Sequence, residues 1–241
     1  MDVEALLNTV RGDFLDDEET PYRWGASKLL RWLNRAQEEA CLRQRLLVDE
    51  TTAEITEIPL VVNTASYALD PRVVLVDRVV YNQQTIPKAT KHQLDRLMPA
   101  WREMEPGSPL FYLQNDLTIR LIPTPSQAED GNTLTIRASR LPLVPLVDNT
   151  DVPEIPVAHH ENLCYYVAAR AFMLPDEDTK DTGLAKTYMA QYDAAFGPAL
   201  SADVLAHKRR ETGVSWVGES HAYHGRRSGM SVRNSWDYDE D

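Results

Sequence analysis

Residues 63–123 set the tightest limit on what this chain can fold into. A Tyr67-x-Leu69-x-Pro71 turn feeds the apolar, β-branched run Val73–Tyr81. A short amphipathic stretch with Trp101 follows, then a Gly107-x-Pro109-x-x-Tyr112 entry into another strand, which stops at Pro123-x-Pro125. The stretch is dense in turn and strand signals and holds no residue pattern with catalytic chemistry. Beyond the neighbouring strands both ends of the chain read as helix, so the β part has to be accommodated between two helical ends.

On the N-terminal side, Val3, Leu6, Leu7, Val10 and Phe14 recur with a helical period, and the run 16–21 ends it. The spacing then predicts a helix from Ala26 to Leu47 with Leu29, Leu30, Leu33, Ala36, Ala40 and Cys41 on its apolar stripe, capped at Gly25 or Ser27. Strand grammar starts near Thr52 with Ile55, Ile58, Leu60 and Val62. It continues through Val73–Tyr81, through Leu110–Leu113 and Leu117–Ile122 around an Asn115-Asp116 turn, and through Thr133–Ala138. Short connections make these about five strands antiparallel. Lys91–Leu97 reads as a short helix crossing the sheet.

Pro142, Pro145, Pro153 and Pro156 stiffen a connector over residues 142–156. Helix resumes near Val157, stops at Pro175, and is followed by a longer helix from Glu177 to His207, broken at Gly197-Pro198. The expected fold class is α+β: a helical bundle from the N- and C-terminal helices, with an inserted small antiparallel β domain and an extended C-terminal tail. The corresponding segments are 1–50, 51–141, 142–207 and 208–241.

Charge narrows the function. The net charge is −12, which argues against a general nucleic-acid binder. Residues 207–241 hold six Lys/Arg and six Asp/Glu, so the first 206 residues carry the whole imbalance. No apolar run is long enough for a membrane span and no secretory signal opens the chain. Two cysteines, Cys41 and Cys164, sit in helical apolar patterns and read as buried thiols.

Enzyme signatures are missing from the sequence: there is no Gly-x-Ser-x-Gly, no Walker A loop and no Gly-x-Gly-x-x-Gly, so no catalytic residue and no cofactor is expected. His159, His160 and Cys164 come nearest to a metal pattern, yet no second pair with ligand spacing follows, and a polar helix start with a buried thiol is the better reading. His221 and His224 likewise lack acidic or thiol partners at matching spacing. Arg11-Gly12-Asp13 copies an integrin tripeptide by chance.

The tail differs. From Lys208 it is rich in Gly and Ser and poor in aliphatics, which predicts an extended segment that orders on a partner. Arg209, Arg210, Trp216, Tyr223, Arg226, Arg227 and Trp236 are the residue types that dominate interfaces, and they are the expected docking residues.

Together these runs resemble the head–tail adaptor (connector or head-completion) proteins of tailed bacteriophages. The likeness covers about residues 25–195 and rests on "RWLNRAQEEACLRQRLLVDE", on the stretch from "EIPLVV" to "LIPTP", on "LTIRASRLP" and on "VPEIPVAHHENLCYYVAARAF". The resemblance implies a helical bundle with a β insertion, and a self-assembled ring, commonly of twelve copies, beneath the portal protein at the virion neck. It implies a channel that DNA passes without specific binding, a surface for a tail or nozzle protein, synthesis in the host cytoplasm, and a C-terminal extension that clasps the portal. Some relatives in short-tailed phages hydrolyse cell walls, but no residue here supports carrying that over. The alternatives are a metal-assisted hydrolase using His159 and His160, and another neck ring protein such as a stopper or tail terminator.

Overall fold

In the computed structural model, residues 1–174 and 180–211 are described, the last without its side chain. The expected helix stop at Pro175, the helix start at Glu177, the pair His221 and His224, and the docking residues Trp216, Tyr223, Arg226, Arg227 and Trp236 lie outside them.

The chain opens with α1 (Val3–Thr9), capped by the Asp2 carboxylate, which accepts from the Ala5 N–H at 2.9 Å. It runs straight into one wide π-helical stretch, Val10–Leu15, so the expected single helix is two conformations. Arg11 explains the local geometry. Its guanidinium is buried, ion-paired with Asp17, and donates to the Trp24 carbonyl at 2.7 Å. An arginine held inside in this way is not displayed for an integrin.

Next come α2 (Ala26–Gln44), β1 (Leu47–Asp49), the single turn α3 (Ala53–Thr56), β2 (Glu57–Pro59), β3 (Ser66–Ala68), β4 (Val73–Tyr81) and β5 (Gln84–Ile86). The chain continues through α4 (Lys91–Leu97), β6 (Phe111–Asn115), β7 (Thr118–Ile122), β8 (Thr133–Arg140), α5 (Asn162–Phe172), α6 (Thr182–Phe196) and α7 (Ala202–Glu211). α2 stops short of the expected Leu47 because Arg45 takes the left-handed conformation (φ 53°), and Leu47 joins a strand. α6 ends where Gly197 adopts φ 80°. α7 then runs to Glu211, four residues into the segment expected to be extended from Lys208.

Three apolar clusters result, two large ones and a small one of Ala89, Leu94, Trp101, Phe111 and Ile122 beneath α4. In the first, Leu6 and Val10, Leu29, Leu33 and Ala36 of α2, Leu163 and Val167 of α5, and Tyr192 and Phe196 of α6 interlock, so both chain ends share one bundle. The Tyr192 hydroxyl donates to the Ala36 carbonyl at 2.6 Å inside it. In the second, Ile58, Val76, Val79, Ile119, Leu121, Leu134 and Ile136 fill the space between two antiparallel sheets. One sheet has the order β1-β8-β4-β5, with β2 also on β8; the other is β3-β7-β6. The register of β4 on β8 slips twice, between Val73 and Leu75 and between Val76 and Arg78.

The connector 142–156 is strapped to the bundle. Asn34 on α2 donates to the Leu146 carbonyl at 2.8 Å and accepts from its N–H at 2.7 Å. Asn149 and Asp151 carbonyls take the first N–H groups of α1. Leu146 and Ile155 therefore face inward, while Val144, Val147, Val152 and Val157 face solvent.

Candidate docking surfaces

Three surface features stand out, and the first two are built by residues far apart in sequence. The first is the seat of α7. Arg209 is 9% exposed. Its Nε donates to the Val74 carbonyl at 2.8 Å, one Nη donates to the Val73 carbonyl at 3.1 Å, and the other pairs with Asp116. The first slip of β4 skips Val74 in the ladder, and at this irregularity a guanidinium fork takes both carbonyls. Arg209, expected to meet a partner, is thus engaged with its own β part. We expect Arg209→Ala to strip about 2 kcal/mol from the seating of α7. Amide exchange over 202–211 should then quicken roughly thirtyfold while α2 and α5 stay protected. Unchanged exchange would show that the seat is held otherwise.

The second feature is a cleft of about 740 Å³ between α4, the β6–β7 hairpin and the end of α7. A capping box builds one wall: Thr90 accepts from the Gln93 N–H at 3.2 Å and Gln93 accepts from the Thr90 N–H at 2.8 Å. That orients Lys91 and Asp95 toward the cleft they line. Buried Trp101 forms the floor between two guanidinium groups, Arg102 at 4.2 Å and Arg120 at 5.2 Å from its ring centre. Arg102 at 2.7 Å and the Trp101 N–H at 2.8 Å both hold Asp95, and these bonds lower its carboxyl pKa. Arg210, the second expected docking residue within the described chain, lines the same cleft.

The third feature is a set of exposed valines, Val144, Val147 and Val152 on the connector and Val157 directly after it. The sequence patterns singled out neither this set nor the cleft.

The metal reading fares differently. His160 is fully buried; its Nε2 lies 2.8 Å from the Ile155 carbonyl and its Nδ1 lies 3.1 Å from residue 1. His159 packs on Phe196 with ring centres 5.5 Å apart. Burial pushes the Cys164 and Cys41 thiols up to about 12, so neither is a thiolate at neutral pH. Among the described residues no group of three or more His, Cys, Asp or Glu side chains is placed to hold a metal ion, and no helix is long and apolar enough to cross a membrane.

A family model described as SU10 adaptor protein matches residues 1–215. None of the curated proteins matches the chain.

Proposed function

Because the chain belongs to the SU10 adaptor protein family, and so to the structural adaptor proteins of bacteriophages, we propose that it works as a ring of identical copies that joins the portal to the tail and extends the DNA channel. The observation that carries this reading is the span of the match. It takes in both helical ends, the whole β part and the start of the segment beyond α7.

Three physical features support it. A closed ring uses a heterologous contact, in which two different patches of the same chain meet. The exposed valines at 144, 147, 152 and 157 supply apolar surface for one side of that contact, with a second copy as its occupant. The charge of −12, carried entirely by residues 1–206, gives a wall that repels phosphates, so DNA slides rather than sticks. The basic, aromatic segment with Trp216, Tyr223, Arg226, Arg227 and Trp236 supplies the grip on the portal. Arg210 at the end of α7 contributes to that grip, and Arg209 anchors its base.

The deletion that tests the grip must spare Arg209, since the arginine belongs to the fold. Removing residues 212–241 is expected to leave the helical bundle and both sheets folded and to weaken capture by portal-bearing heads by at least about tenfold, as loss of two aromatic anchors would. Normal capture and normal particle yield from the truncated protein would reject the proposal.

A further inference from the structure

The cleft around Trp101 is electropositive in a protein that is otherwise acidic. Four cationic side chains line it, Lys91, Arg102, Arg120 and Arg210, against the one carboxylate of Asp95. Asp95 is already taken by Arg102 and the Trp101 N–H. Lys91, Arg120 and Arg210 form no ion pair among the described residues. Cations gathered on one wall repel each other, and that cost is relieved when an anion enters. The Trp101 floor and Leu113 add apolar surface for the body of a peptide.

We infer that this cleft is a binding site for an acidic peptide, and that in the free protein its occupant is the chain's own segment 237–241. Asp237-Tyr238-Asp239-Glu240-Asp241 brings four carboxylates and one aromatic ring. The preceding stretch 207–236 has six Lys/Arg against Glu211 and Glu219, so it opposes the cleft in charge and only the final segment complements it. Reach is ample. α7 delivers the chain to the rim, where Arg210 is itself a wall, and the 25 residues 212–236 span up to about 85 Å when extended. Tethering to the rim makes the encounter intramolecular, which raises the effective concentration far above that of a separate peptide. A phosphate backbone would meet the same cations but also the net −12 of the rest of the chain.

The test uses full-length protein and a zero-length carbodiimide, which couples a lysine amine to a carboxylate it touches. Mass spectrometry is expected to find Lys91 linked to residues 237–241 within one chain, at a yield independent of dilution and falling as salt rises. Arg120→Glu with Arg210→Glu keeps Lys91 and every tail carboxylate, and is expected to cut the yield about fivefold, the size of effect for reversing two solvent-exposed charges. Should the double variant not fold, Arg210→Gln alone, at an exposed helix position, is expected to lower the yield in the same direction. The inference is overturned by no link, by a link only between copies, or by an undiminished link in the variants. It is equally overturned, in favour of nucleic acid, by a DNA duplex that suppresses the link at physiological salt.

Discussion

Replacing Arg140 with methionine is expected to destabilise the protein by about 3 kcal/mol at pH 7, the low end for removing one partner of a buried ion pair. Arg140 lies at the end of β8 and is 8% exposed. Its guanidinium pairs with Asp49 of β1 and with Glu154 of the connector, and donates to the Leu141 carbonyl at 3.0 Å. Glu154 in turn accepts from the Leu143 N–H at 2.8 Å, and its own N–H donates to Gln37 of α2 at 2.7 Å. One side chain therefore ties the sheet, the connector and the bundle together. Methionine fills the volume but leaves Asp49 charged and buried, whereas Glu154, a third exposed, is partly rescued by water and adds little. In a chain of this size the loss corresponds to a fall in melting temperature of roughly 6–12 °C.

The same network sets a pH signature. Burial by itself would raise the Asp49 carboxyl, but the N–H groups of Thr52 and Thr51, the Thr52 hydroxyl and Arg140 outweigh it and hold the carboxyl well below the usual carboxylate range. Burial likewise opposes the net lowering at Glu154, and Arg140 and the Leu143 N–H overcome it. Groups with depressed folded values contribute stability that is complete above their unfolded values, about 4, and is lost as pH falls through the folded ones. The wild type should therefore lose stability on acidification below about pH 4 more steeply than the Arg140→Met protein, so the gap between them narrows. Denaturant titrations at pH 7 and near pH 3 would read it; a gap of under about 1 kcal/mol at neutral pH, or one that holds constant into acid, contradicts the buried-pair account.

Elements were legible where a sequence signal is complete in itself. Val73–Tyr81 carries five valines in nine residues, and Lys91–Leu97 follows a Thr90-x-x-Gln93 pair; the structure returns both with the expected bounds. The hairpin turn falls one residue later than Asn115-Asp116, because Asp116 takes φ 54° and Asn115 stays in the ladder opposite Thr118. β2 was legible only through Ile58, since Ile55 falls in the helical turn α3 and Leu60 and Val62 lie past the strand, and β1, β3 and β5 were illegible since three residues cannot display a period of two; all four exist because long β8, β4 and β7 offer edges to pair with. Arg209 was read as a docking residue for a related reason. Its partners are main-chain carbonyls at a strand irregularity 135 and 136 positions away, and nothing near Arg209 encodes them. The cleft is equally invisible in one dimension, as Lys91, Trp101, Arg120 and Arg210 come from separate elements.

Ring formation should collapse when Val144 and Val157 are both changed to aspartate, while the isolated chain melts as before. Val144 is 71% and Val157 70% exposed in the single chain, and the inward work of the connector falls to Leu146 and Ile155 at 5% and 2%. Aspartate at the two outer sites thus remains hydrated in the monomer and costs within about 0.5 kcal/mol, as surface changes do. In a contact with a second copy it must shed water with no cation prepared for it, at a cost of several kcal/mol per ion. Taking about 3 kcal/mol per contact weakens each by roughly a hundredfold, and the defect recurs at every junction of a ring built from identical copies. Counting assembled necks by electron microscopy of particles grown with the variant, alongside the melting curve of the purified chain, separates assembly from folding. Leu97→Asp, at a site 61% exposed on α4 and far along the chain from the connector, is the control expected to leave both unchanged. If the valine variant forms necks at the wild-type yield, the copy-to-copy contact lies on another face, and the exposed valines have no part in closing the ring.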